Sequence, residues 1–209
     1  QGIRGGNMKM RSLKDVKFLV TAALLAALTC IATMVIKVPT PTLGYVHPGD
    51  GLVLLCGLIL GPVYGPLAAG IGSAMADLLS GYVIWAPGTF VIKAFTAMTA
   101  AHVYSALKKL LKEKAEYGVI AGCGAAGEAL MAFGYFLYNI LVISFTNASF
   151  DRAGIAAAAA ESAAEIPFNI VQGVLGIAIA VLLIPVLKMV PDIRRWMVPS
   201  SGRMDEKLG

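Results

Sequence analysis

Glu128, Tyr135 and Asn139 are spaced seven and four residues apart, and Glu165, Asn169 and Gln172 four and three apart. These are helical spacings, so each set presents its polar groups on one face of an otherwise apolar segment. Carboxylates, amides and a phenol on a membrane helix are costly to desolvate, and they face a bundle interior, a cavity or a pathway. Their chemistry is hydrogen-bond reading of a polar ligand. The rival account is interhelical hydrogen bonding that only staples the bundle. Two carboxylates make a costly staple, so the spacing predicts a ligand pocket.

Depth favours that reading. The helix holding Glu128 runs from inside to outside, which places Tyr135 and Asn139 in its outer half and Glu128 near the middle. The next helix runs back, starting with Glu165 and Asn169 and reaching the middle at Gln172. The two polar faces meet at one depth and open outward, with Trp85, Tyr138 and the loop from Tyr45 to Asp50 as a roof. Aromatic walls with a few convergent polar groups are the usual make-up of a small-molecule site. Lys93 and Asp77 fall at similar depth and are expected to pair, since an unpaired lysine is hard to bury. The rival for Lys93 is contact with the ligand or with Glu165.

Other reactive side chains carry less. His47 lies in a Pro/Gly loop and His102 in the cytoplasmic half of a helix, neither beside a second ligating residue. Cys30, Cys56 and Cys123 are widely separated in apolar runs and read as small buried hydrophobes rather than metal ligands. The chain has no nucleotide-binding loop, nucleophile elbow or zinc-protease motif, so no enzyme, cofactor or metal site is expected.

The elements that position these residues follow from composition. The chain is 58% hydrophobic and only 14% charged, with a mean hydropathy of +0.78. Soluble domains carry roughly 25% charged residues. The expected class is an all-α integral membrane protein, since 209 residues hold about six spans of about 20 residues and little else. Helices are expected at about 18–38, 51–60, from the break at 61–66 to about 81, from about 85–87 into Lys108–Lys114, 117–145 and 155–190, with Asp50 capping the short second one and Pro167 kinking the sixth.

The net charge of +5 gathers in short flanks: Lys9 to Lys17, Lys108 to Lys114, and Lys188 to Lys207. Counting the short second helix as a crossing puts all three clusters, and both termini, on the cytoplasmic side. No aromatic–basic interleaving suggests nucleic acid; the expected surroundings are membrane lipid. Residues 1–7 read as a cloning remnant before a start at Met8 or Met10. Residues 8–190 form one membrane domain, and 191–209 a polar, mobile cytoplasmic tail.

Four groups of residues together resemble the substrate-binding S components of energy-coupling factor (ECF) vitamin transporters, over about Lys14 to Val190. They are the alanine-rich Ala22–Ala27, Tyr45–Asp50 with Gly61–Gly65, Asp77–Tyr82 with Ala86–Lys93, and Pro167–Gly173. The resemblance implies a six-helix fold in a bacterial plasma membrane. It also implies capture of a vitamin or precursor from outside, and docking on a transmembrane coupling subunit with two ATPase subunits. It assigns the pocket to His47, Trp85, Lys93, Glu128, Tyr135, Asn139, Glu165, Asn169 and Gln172, and the docking face to Ala22, Ala23, Ala26 and Ala27, with the first loop as gate.

Tyr45–Asp50 is similar to the subgroup for hydroxymethylpyrimidine or pyridoxine-type ligands, and more broadly to riboflavin-transporter-like members. It departs from riboflavin members that carry an Asp-rich stretch at the start of the second helix. Two carboxylates, two amides and a tyrosine suit a small neutral or cationic ring. An aminopyrimidine, pyridoxine or a deazapurine such as a queuosine precursor would fit. A carboxylate-rich anion would meet Glu128 and Glu165 and be repelled unless they are protonated or Lys93 compensates. The alternative from another class is a self-sufficient facilitative or proton-coupled carrier using Glu128 and Glu165.

Overall fold

The computed structural model describes residues 16–40, 45–110 and 116–197. The elements are α1 (Val16–Val35), β1 (Val38–Pro39), β2 (Tyr45–Val46), α2 (Asp50–Leu79), α3 (Ala86–Leu110), α4 (Glu116–Thr146), α5 (Arg152–Ala163), α6 (Ile166–Leu187) and α7 (Pro191–Met197). The two strands pair antiparallel, Val38 opposite Val46, and clip the first loop into a short ribbon. Residues 1–15, 41–44, 111–115 and 198–209 are outside the described residues. They include the expected cloning remnant, the basic residues Lys9, Arg11, Lys14, Lys112 and Lys114, and most of the expected tail.

Five helical stretches are long and apolar enough to cross a membrane, α2 counted as one of them and α5 with α6 as another. α2 nevertheless runs as two arms. At Gly61 the backbone takes φ 79° and ψ −173°, outside the helical region. A Cβ built on Gly65 would lie 2.6 Å from the Cys56 carbonyl oxygen, although residues nine apart on a straight helix stand about 13 Å apart. Asp50 and Asp77 would be separated by about 40 Å on such a helix. Instead Tyr45, five residues before Asp50, donates a 2.6 Å hydrogen bond to Asp77. The chain therefore folds back at Gly61, as six crossings require.

The first arm, residues 50–60, is buried almost throughout, as a helix apolar on every side must be. Its small residues set the packing distances: a Cβ on Gly57 would enter the Ala97 carbonyl of α3. On the second arm, Gly72 meets the Ala26 carbonyl and Thr29 of α1. The core gathers Phe18, Leu54, Ile59, Tyr104, Ile120, Ile184 and Met197. Outward faces, including Leu24 and Ile31 of α1 and Val171 and Leu182 of α6, stay apolar and exposed, as lipid contact demands.

Two expectations are corrected and one is met. Asp50 does not cap α2: Gly49 occupies that position without a side-chain cap, because the Asp50 carboxylate is turned inward. The sixth helix is kinked just before Pro167, as expected: α5 and α6 meet at Ala164 and Glu165, both still in the helical region, since proline supplies no amide and clashes with the preceding turn. Residues 191–197 are no mobile tail. They form α7, whose Met197 is 4% exposed in the core and whose Trp196 ring stands edge-on to Phe18, centroids 5.3 Å apart.

Lys17 pairs with Asp192 at 3.3 Å, and Lys108 and Lys188 both approach Glu116. The described basic flanks thus share the end of the bundle that holds the Gly61 turn and α7. The buried polar groups collect toward the opposite end.

Candidate functional site

A cleft at that opposite end encloses about 480 Å³ of empty space, its open mouth included, and is lined by Tyr45, His47, Asp77, Tyr82, Trp85, Thr89, Tyr135, Asn139, Glu165, Asn169 and Gln172. The β-ribbon supplies Tyr45, and the loop after it His47. The second arm of α2 ends in Asp77, and the turn before α3 carries Tyr82 and Trp85. The faces read from the sequence on α4 and α6 close the wall with Tyr135, Asn139, Asn169 and Gln172. The break before Pro167 brings Glu165 to the rim of α6.

The aromatic rings hold one another. Tyr45 and Tyr82 stand with centroids 4.8 Å apart, and Tyr45 and His47 5.4 Å apart. Lys37 lies 5.0 Å from the Tyr45 ring centre and 5.8 Å from that of Tyr82, its amine bonded to the Ser80 hydroxyl. Trp85 packs edge-on against Tyr138 at 5.8 Å, and the Tyr138 hydroxyl donates to the Ile84 carbonyl at 2.7 Å. Tyr135 donates to Thr89 at 3.2 Å.

Beneath the cleft lies a charged floor. Lys93 pairs with Asp50, both side chains fully buried, and not with Asp77 as their depth suggested. Asp77 is engaged by Tyr45 instead. The Lys93 amine also sits 5.1 Å from the Tyr135 ring centre. Gln172 Nε2 donates to Asp50 Oδ2 at 2.8 Å, while Gln172 Oε1 accepts the His47 backbone amide at 3.1 Å. One side chain thereby ties the first loop to both α6 and the ion pair. Glu128 is 5% exposed, and neither of its carboxyl oxygens accepts a hydrogen bond among the described residues.

Of the residues singled out in the sequence, the cleft brings together His47, Trp85, Tyr135, Asn139, Glu165, Asn169 and Gln172. Lys93 and Glu128 are not among its lining residues. Tyr45 lines it as part of the expected roof, and Asp77, Tyr82 and Thr89 line it without having been assigned to it. They sit in or next to loops, where no helical period marks a common face; the signal for them was the aromatic–acid content of Tyr45–Asp50 and Asp77–Tyr82.

Burial pushes the His47 imidazole down to about 3, with the Asp50 carboxylate only partly opposing it. The ring is accordingly neutral, and its Nδ1 accepts the Gly49 amide at 3.1 Å. Burial, reinforced by the adjacent Asp77 carboxylate, holds the Tyr45 phenol far above its ordinary range. Among the described residues no three His, Cys, Asp or Glu side chains are grouped to hold a metal ion. The arrangement offers aromatic faces, carboxylate and amide acceptors and amide donors to a planar polar molecule.

Residues 13–189 match the family described as the ECF-type riboflavin transporter, S component. The chain belongs to this family of multi-pass membrane transport subunits, which are not enzymes. Two solved structures share the fold. One is the S component of a bacterial ECF transporter: TM-score 0.59, 22% identity, covering 83% of this chain and 96% of that one. The other is an S component for biotin from an ECF-type ABC transporter: TM-score 0.57, 18% identity, 83% and 94% covered. An uncharacterized protein of Pyrococcus woesei is 42% identical over 64 residues, 30% of this chain. That match spans 43% of the relative's length.

Proposed function

We propose that the chain is the substrate-capture subunit of an ECF-type importer. It takes a small water-soluble vitamin or precursor from outside and docks on a transmembrane coupling subunit driven by two ATPases. The observation that carries this is a cleft open at one end of the bundle, opposite the basic flanks, and closed beneath by the Asp50–Lys93 pair. Below that floor the first arm of α2 continues as Leu54, Leu55, Leu58 and Ile59, all buried in the core. A pocket closed beneath by a buried ion pair and then by a packed apolar layer suits capture, with release inward left to the coupling subunit. The alternative is the self-sufficient facilitative or proton-coupled carrier, which uptake into liposomes separates.

The aromatic rings and acceptors suit a small neutral or cationic heterocycle such as pyridoxine or hydroxymethylpyrimidine. Lys93, committed to Asp50, is not available to compensate an anion. Riboflavin is the second reading, favoured by the description of the matching family. A deazapurine offers similar donors.

The test is a thermal-shift screen of the purified chain against water-soluble vitamins and precursors, from nanomolar concentrations upward. A ligand at 100 times its Kd stabilises the folded state by about 2.7 kcal/mol, which a single strong hit will show. Liposomes holding the chain alone are expected to take up none of that compound. Uptake without ATP would establish the carrier instead.

A further inference from the structure

Asp77 is a cleft-lining carboxylate that is only 4% exposed. One oxygen, Oδ1, accepts the Tyr45 hydroxyl at 2.6 Å. The other, Oδ2, is buried and completes no hydrogen bond among the described residues, although Thr89 is a neighbouring donor. A buried acceptor without a donor is costly. In the wall of a cleft, a donor on a bound molecule would relieve that cost.

Two nearby cations do not fill that role. Lys93 is spent on Asp50 beneath the floor, and Lys37 is bonded to Ser80 and set against the rings of Tyr45 and Tyr82. Asp77 therefore remains as an acceptor at an aromatic wall, next to the Tyr45 and Tyr82 rings. Its terminal torsion is soft, so a small rotation aims Oδ2 toward a bound ring while Oδ1 stays on Tyr45.

We infer that Asp77 is the specificity-determining residue of the cleft, accepting a hydrogen bond from an N–H donor on an aromatic nitrogen heterocycle that stacks against Tyr45 and Tyr82. This rests on the capture reading above and narrows it. The ligand class is a ring with an exocyclic amine, a ring N–H or a protonated ring nitrogen. Anionic rings without such a donor are excluded. Tyr45 holds Oδ1 and fixes the carboxylate, so the ligand completes a partly built acceptor rather than organising a free one.

The experiment is calorimetric titration of the full chain in detergent with 4-amino-5-hydroxymethyl-2-methylpyrimidine, its 4-dimethylamino counterpart, riboflavin, N3-methylriboflavin and nicotinate. A site built around a hydrogen bond rejects the analogue lacking it, so the N–H form of whichever ring binds is expected to be favoured by at least about tenfold. Asp77→Asn is expected to lose at least the same factor for that ring, while Tyr45→Phe, which keeps the carboxylate, loses less. Equal affinity for the N–H and N-methyl forms would overturn the assignment, as would nicotinate binding tightest or Asp77→Asn binding unchanged. In each of these cases the capture function would stand. Absence of binding by all five compounds and by the wider vitamin screen would overturn both. Should Asp77→Asn fail to fold, the paired compounds on the wild-type chain decide alone.

Discussion

At the scale of single residues, the floor of the cleft is where charge matters most. Lys93 and Asp50 are wholly buried, and their attraction is useful only while both are present. Lys93→Met strands the Asp50 carboxylate and is expected to destabilise the fold by about 3–5 kcal/mol. Adding Asp50→Leu to that variant should recover much of the loss; denaturation of both variants in detergent checks it. Asn169 lines the cleft, so Asn169→Ala is expected to abolish ligand binding with the melting temperature of the empty protein unchanged. Unaltered affinity would remove α6 from the site.

His47 gives a pH dependence with a definite sign. Its imidazole stays neutral when folded, down to about 3, against an ordinary value of 6.5. Below 6.5 the unfolded chain takes up a proton that the folded one refuses, so stability falls as pH falls. The loss is up to about 1.4 kcal/mol per pH unit. Between pH 6.5 and 5, His47→Gln should remove the imidazole's share of the slope of melting temperature against pH.

At the scale of elements, the reversal inside α2 decides the topology. Gly61 combines φ 79° with ψ −173°, a region essentially restricted to glycine. A Cβ there would meet nothing within 4 Å, so the cost of Gly61→Ala is conformational, about 1–3 kcal/mol. Gly57 is the contrasting case: its backbone is helical, but any side chain enters the Ala97 carbonyl. Gly57→Ala is expected to force the first arm from α3, lowering the melting temperature. Because Asp50 and Lys93 sit on those same two elements, ligand affinity should fall with it.

At the scale of the molecule, α1 presents two alanine pairs in different surroundings. Ala22 and Ala26 pack against the core, Ala26 beneath Gly72 of α2. Ala23 and Ala27 are exposed, free for close approach of another membrane helix. Replacing Ala23 and Ala27 by leucine should therefore leave ligand affinity within error and block co-purification with the coupling subunit. Retained assembly would place the docking face elsewhere. Ala22→Leu should instead damage the fold itself, a difference that a single alanine motif conceals.

The sequence by itself determined the class, the six crossings and two walls of the cleft. Hydropathy, charge flanks and helical period are local quantities, and Tyr135–Asn139 and Glu165–Gln172 each lie within one helical face. Partners across the bundle were another matter. Asp50 seemed a helix cap because its neighbours in the chain suggested one, and Lys93 seemed matched to Asp77 by depth. Depth along the membrane says nothing about rotation around each helix axis, and rotation is set by small-residue contacts such as Gly57 on Ala97 and Gly176 against Asp50. Those contacts put Asp50 under the cleft with Lys93, and left Asp77 at its wall with Tyr45. Only packing in three dimensions could decide which carboxylate is neutralised by a lysine and which is held by a tyrosine.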